Sequence, residues 1–246
     1  MGFGHGAVDA KGRLQQSWRC MSDVIVRELV AEEMPEAGAL LGRSLRDTPS
    51  SIQVAGADPA GRETVLAGLL GAMLGQRSRL GTVLGAFRAG KLAGVCAFAP
   101  PGRGQPTLVE GLAMSATVLR TMPLGSQLKV QRWLDGWVRH ELGAKPHWRL
   151  GPVGVERELW RQGIGRALLT EFCARVDAQD GVASLEIDQD EQEVFFQKFA
   201  FRVDAGAKAA NGPARTMRRA AGSDTARWAR PPESKPYVLG RPVAKG

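Results

Sequence analysis

Residues 147–170 read HWRLGPVGVERELWRQGIGRALLT. An apolar run with a Gly151-Pro152 interruption ends at Val155, and a short charged turn follows. Arg161-Gln162-Gly163-Ile164-Gly165-Arg166 then opens a segment with helical periodicity. A strand, a tight basic glycine-rich turn and a helix, in that order, build an anion site. The glycines let backbone approach a ligand closely. The first-turn N–H groups lack intrahelical partners, and the helix dipole adds about half a positive charge at that end. Arg161 and Arg166 add full charges. A phosphate or pyrophosphate suits such a site. A strand stopped by glycine before an ordinary helix would leave the same pattern.

The spacing narrows the choice. A P-loop needs Gly-Lys-Ser/Thr after a longer loop, and none is present. A dinucleotide fingerprint needs a third glycine where Leu168 stands. A second stretch, residues 185–201, reads LEIDQDEQEVFFQKFAF. Between the two there is room for one helix, about residues 164–178, and a turn at Asp180-Gly181.

Together the two stretches resemble the GNAT acetyltransferases. The first is similar to their motif A, Q/R-x-x-G-x-G/A. The second keeps the register of a strand beginning LET followed by FYERxGF, from Leu185-Glu186 to Phe195-Phe196-Gln197-Lys198-Phe199-Ala200-Phe201. The amino-terminal half, with Arg43 to Arg62, a helix, the 82–99 hairpin and the Pro100-Pro101-Gly102 stop, looks like members near puromycin N-acetyltransferase. The resemblance covers about residues 22–219. It implies an α/β fold with a mixed, mostly antiparallel central sheet flanked by helices and splayed between strands four and five. It also implies acetyl-CoA as cosubstrate and a primary amine, of a small molecule or an amine-bearing antibiotic, attacking directly in a ternary complex.

The resemblance assigns roles by position. Val153, Gly154 and Val155 would meet pantetheine, with an N–H near Val153 as oxyanion donor. Arg161, Gln162, Gly163, Ile164, Gly165 and Arg166 would cradle the pyrophosphate, and Phe196 would stand beside the cofactor. Glu186 is the first candidate base and Asp188 the second; Glu156 reads as a solvated turn residue and His147 as structural. Four positions depart from the family. Trp160 replaces the Gln or Arg of motif A. Phe196 replaces the Tyr that commonly serves as general acid. Ala200 replaces a glycine, and Asp190-Glu191-Gln192 replaces Pro-Arg-Asn. These departures keep open an alternative: a catalytically degenerate domain that binds CoA or an acyl-CoA as a regulatory or binding module. The carboxylates Glu186, Asp188, Asp190, Glu191 and Glu193 would attract a cationic acceptor if they lie at its mouth. A solvated acidic helix start explains them equally well.

Composition sets the outer bounds. A chain of 246 residues holds one domain of ordinary size plus tails. Residues 1–20 read as an extension, 21–219 as the acyltransferase domain, and 220–246 as a basic Pro-rich tail; both ends are expected to be disordered. No apolar run approaches the ~18–20 residues of a membrane span. Three dispersed cysteines without CxxC argue for free thiols in a reducing cytoplasm, and neither they nor the three histidines have metal spacing. The net charge is +8, but +2 lies in residues 1–20 and +3 in 220–246. The folded body carries only the remaining +3, so nucleic acid is not an expected partner. A homodimer is compatible with all of this.

Periodicity supplies the remaining elements. Strands are predicted at Val24–Val26, Thr82–Arg88, Leu92–Ala99, Trp148–Val155 and Ala183–Ile187, with 213–219 closing the sheet. Helices are predicted at Pro35–Arg46, from Asp58-Pro59 onward, around Val130, Trp133, Leu134, Trp137, Val138 and Leu142, and over 190–199. Residues 47–61 read mostly as loop.

Overall fold

The computed structural model describes residues 24–102, 127, 146–205 and 214–223. The terminal segments and the tryptophan-bearing helix expected near residues 130–142 lie outside the described residues. Seven strands form one sheet: β1 (Val24–Glu28), β2 (Thr82–Arg88), β3 (Lys91–Ala99), β4 (Trp148–Val155), β5 (Ala183–Ile187), β6 (Arg202–Val203) and β7 (Arg215–Arg219). Their order is β1-β2-β3-β4-β5-β7-β6. Every pairing is antiparallel except β4 with β5. Among the described residues the α-helices beside the sheet are α1 (Met34–Leu45), α2 (Pro49–Ala55), α3 (Pro59–Leu80), α4 (Ile164–Asp177) and α5 (Asp190–Gln197).

The expected loop at 47–61 contains α2. Thr48 caps it by accepting from the Ser51 N–H, and Pro49 occupies the first helical turn. Both are ordinary helix-start devices. A helix of only 7 residues has too little length to show a hydrophobic period. Helix α3 begins as anticipated, with Asp58 accepting from the Gly61 N–H at 2.8 Å.

The two faces of the sheet are distinct cores. One packs α4 through Leu168, Phe172 and Val176, all fully buried, against Leu84, Cys96, Phe98 and Leu150. The other packs α1 and α3 through Leu40, Leu41, Leu66 and Leu74 against Val83, Val95 and Ala97. Burial pushes the Cys96 and Cys173 thiols well up, Cys173 to about 12, so both stay protonated. Arg219 is fully buried and holds the end of β7 to α4: its Nη2 donates to Asp177 Oδ2 at 2.9 Å and its Nε to Phe199 O at 3.1 Å.

Helices α1 and α3 cross at glycines. A Cβ on Gly38 would lie 2.6 Å from Gly71 Cα and 2.8 Å from Ala67 O, both backbone atoms. Gly38→Ala must therefore separate the helices, and it is expected to cost about 1–3 kcal/mol. Urea unfolding of the variant checks this: a lowered midpoint at unchanged slope is the expected result.

Candidate active site

β4 and β5 pair only at Trp148 with Ala183 and at Arg149 with Ser184. Beyond that point the strands part. The cause is written into β4. Between Leu150, opposite Phe98, and Val153, opposite Cys96, β4 spends one residue more than β3. This is a bulge, which bends the strand carrying it. It falls at Gly151, whose φ is +133°, and at Pro152, which has no N–H to give a ladder. Glu156 N–H donates to Ala93 O at 3.0 Å and sets the alternation upstream. Gly154 and Glu156 therefore face β3, while the N–H and C=O of Val153 and Val155 face the gap. Trp160 confirms the direction, since its Nε1 donates to Val155 O at 2.8 Å.

Gly154 has a reason of its own to be glycine. A Cβ there would run into Ser44 Oγ and lie 2.7 Å from Leu41 Cδ2. Its missing side chain thus admits α1 against β4.

The basic turn opens α4 as expected. Arg161 has φ +61° and Gly163, the N-cap, has φ +85°. These left-handed residues fold the chain back so that Ala167 N–H already reaches Gly163 O. The amides of Ile164, Gly165 and Arg166 precede that first intrahelical bond and are the orphan donors of the helix start. Gln162 does not point to a ligand; its Oε1 accepts from Arg88 Nη1 and its Nε2 donates to Glu158 O. Gly165 lets Phe195 approach, as a Cβ would sit 3.3 Å from its Cζ. Trp160 is 54% exposed, its ring 5.8 Å from the Arg157 guanidinium.

A cavity of about 230 Å³ opens beside the parted strands. Apolar side chains of α3 and α2 wall it, with Pro152 and Val153 on β4 and Phe196 on α5. Phe196 is a buried core residue, stacked edge-on to Phe195 and Phe201. Where the family commonly carries an acid, this chain has an apolar wall. Glu186 and Asp188 both line the cavity. Asp188 already holds the start of α2, accepting from the Ser50 N–H at 2.8 Å. Arg77 and Arg149, which drew no attention in the sequence, line the same cavity. Burial pushes each guanidinium down to about 10; at Arg149 the Glu186 carboxylate opposes that fall and the Arg77 charge adds to it.

The acidic run is not one cation-attracting surface. Arg215 pairs with Asp190 at 2.6 Å and with Glu193 at 2.8 Å. Only Glu186 and Asp188 of that run reach the cavity. Among the described residues no group of His, Cys, Asp and Glu is placed to hold a metal. No helix among them is long and apolar enough to cross a membrane.

An ion-pair clamp holds the segment between β4 and α4. Glu156 is not a solvated turn residue, since its carboxylate takes Arg43 of α1. Arg157 reaches Asp47 at 2.7 Å, and Asp47 also takes Arg62 and Arg46. The segment feeding the basic turn is thereby tied to α1 and α3.

A sheet parted between its two parallel strands, with the orphan amides of a helix start beyond the end of β4, is the arrangement expected of the acyl-transferring enzymes that the sequence resembles. The chain is a member of the acetyltransferase (GNAT) family, whose model matches residues 59–201. That match is to the family as a whole and does not reach the group near puromycin N-acetyltransferase. No curated protein matches the chain in sequence. Among solved structures it is similar to the histone acetyltransferase HPA2 and related acetyltransferase from Corynebacterium glutamicum. The TM-score is 0.55 at 17% identity, over 82% of this chain and 99% of that one. PaiA N-acetyltransferase from Thermoplasma acidophilum in complex with coenzyme A has a TM-score of 0.48 at 14% identity, over 80% and 98%. A GNAT family acetyltransferase from Brucella melitensis in complex with acetyl-CoA has 0.43 at 18%, over 82% and 90%. At these identities the likeness is one of fold.

The clamp has a pH signature. Hydrogen bonds from Arg46 and Arg62 hold the Asp47 carboxyl at about 2, below its ordinary 3.8. A depressed folded pKa contributes stability above the unfolded value and loses it as pH falls through the folded one. Between about pH 4 and pH 2 the protein is therefore expected to lose Tm more steeply than Asp47→Asn. Thermal unfolding across that range checks it.

Proposed function

We propose that the protein is an acetyl-CoA-dependent N-acetyltransferase that acetylates the primary amine of a small molecule by direct attack in a ternary complex. The observation that carries this reading is the β4–β5 gap, which opens on one side toward the α4 amides and on the other toward the cavity bearing Glu186. Acetyl-CoA supplies the acetyl thioester. The α4 start, with Arg161 and Arg166, suits its pyrophosphate, and the gap-facing amides of Val153 and Val155 suit its pantetheine. The Val153 N–H suits the role of donor to the developing oxyanion. Glu186 takes the proton of the attacking amine; Asp188 is the weaker candidate because its carboxylate already holds α2. Phe196 cannot protonate the leaving sulfur. A thiol of pKa ~8.5 leaves tolerably as thiolate near neutrality, and water protonates it. We place the enzyme in the cytoplasm as part of the same reading.

Two features favour a second reading, a degenerate domain that holds CoA as a binding module. Trp160 already uses the Val155 carbonyl, and Phe196 replaces the acid. Turnover separates the two. An enzyme releases CoA faster when an amine is added, whereas a binding module does not.

Acetyl-CoA is expected to raise Tm, with stabilisation of about 2.7 kcal/mol at 100 times its Kd. Gly163→Asp, which sets a negative charge at the α4 start, should abolish that shift. Absence of any shift with the unaltered protein at millimolar ligand would reduce the reading to an inherited fold. Glu186→Gln is expected to lower kcat by about 10²–10⁴ while leaving the acetyl-CoA shift intact, with Asp188→Asn having the smaller effect.

A further inference from the structure

The last carbonyl of β4 is taken by the chain itself. Val155 ends the strand, and its C=O faces the gap because Glu156, one residue on, gives its N–H to Ala93 of β3. Strand β5 pairs with β4 only at Trp148 and Arg149 and does not reach this level. The donor to Val155 O is the Trp160 indole, whose Nε1 lies 2.8 Å away. A short 3-10 turn, Arg157–Leu159, brings that side chain back over the strand end. The turn closes with the Trp160 N–H on Arg157 O at 3.1 Å, and Trp160 itself is extended, with φ −61° and ψ 151°. Since the carbonyl points into the gap, a ring donating to it stands on the gap side of β4.

The indole is held there lightly. Its neighbour Leu159 packs against the core, as does Phe195, whereas Trp160 belongs to neither core and is 54% exposed. The Arg157 guanidinium stands 5.8 Å from its ring and also reaches Asp47 at 2.7 Å. A cation–π contact at an exposed site and a single exposed hydrogen bond are both weak. Turning the side chain out into water breaks them without opening a hole in the core. A carbonyl can accept two hydrogen bonds, but here the first donor is a large ring lying along the edge that an extended ligand would follow. Pantetheine is such a ligand, with amide N–H groups along its arm.

We propose that Trp160 stands in for a pantetheine amide at Val155 O, and that the indole gives way to the ligand's own N–H when acyl-CoA binds. Trp160 then sets the affinity for the pantetheine arm, at the position where the family carries Gln or Arg. The Val155 carbonyl is covered but not lost to a ligand. This rests on the acetyltransferase reading.

The test is calorimetric binding of acetyl-CoA and of ADP to the full chain and to Trp160→Phe, which keeps an aromatic ring and loses the donor. Acetyl-CoA is expected to bind the variant about two- to tenfold more tightly, the worth of one exposed hydrogen bond. ADP has the pyrophosphate but no pantetheine, so its affinity should not change. Trp160→Leu also lacks the donor, should move acetyl-CoA the same way, and serves if the phenylalanine variant does not fold. A ring that packed on the cofactor or propped up the basic turn would weaken acetyl-CoA binding when removed. That result, or an unchanged affinity, overturns the proposal. An equal gain for ADP also overturns it, because the effect would then lie in the basic turn. Acetyl-CoA binding by none of the three chains would instead defeat the acetyltransferase reading itself, and the proposal with it.

Discussion

The parting of β4 from β5 governs the rest of the molecule. Two parallel strands that share only two paired positions leave backbone donors and acceptors facing a gap. Buried backbone polar groups must find partners. Here Trp160 supplies one to Val155 O, and the backbone of Val153 faces the same gap. Every neighbouring feature follows from keeping that gap open. The bulge at Gly151-Pro152 turns β4 away, Gly154 lets α1 press on its far face, and α5 brings Phe196 to close the side.

Much of this was legible in the chain because it is local. Strand β4 lies at Trp148–Val155 and β5 at Ala183–Ile187, as read, and α4 spans Ile164–Asp177 against an expected 164–178. Each has a clear hydrophobic period bounded by glycine or charge, and the family motifs sit on their junctions. Helix α2 escaped because Thr48-Pro49-Ser50-Ser51 carries turn chemistry and helix-start chemistry at once, and 7 residues cannot break the tie.

The buried arginines of the cavity escaped for a different reason. A lone arginine in an apolar helix or strand reads as a solvated residue. Arg77 and Arg149 are buried and line one cavity although about seventy residues separate them in the chain. Likewise Glu156 reads as a solvated turn residue and Asp188 as a second candidate base until their partners, Arg43 and the Ser50 amide, arrive from the amino-terminal half. Long-range pairing of charge leaves no periodic trace in a sequence. For the same reason Phe196 was easier to place than to interpret. Its position in the motif was evident, and its burial among Phe195 and Phe201 was not.

The charged groups at the two ends of the site differ in their access to solvent. In the clamp, Arg43, Asp47, Arg46 and Arg157 have side chains from a third to nearly half exposed, while Glu156 and Arg62 are more enclosed. Mobile ions reach them, and at physiological ionic strength their fields fade within about 8 Å. Arg77 and Arg149 in the cavity wall are buried, at 5% and 8% exposure, and added salt screens them less. Ionic strength therefore acts on one end of the site far more than on the other. Added salt loosens the segment that presents the basic turn, while the field around the buried arginines of the cavity changes less.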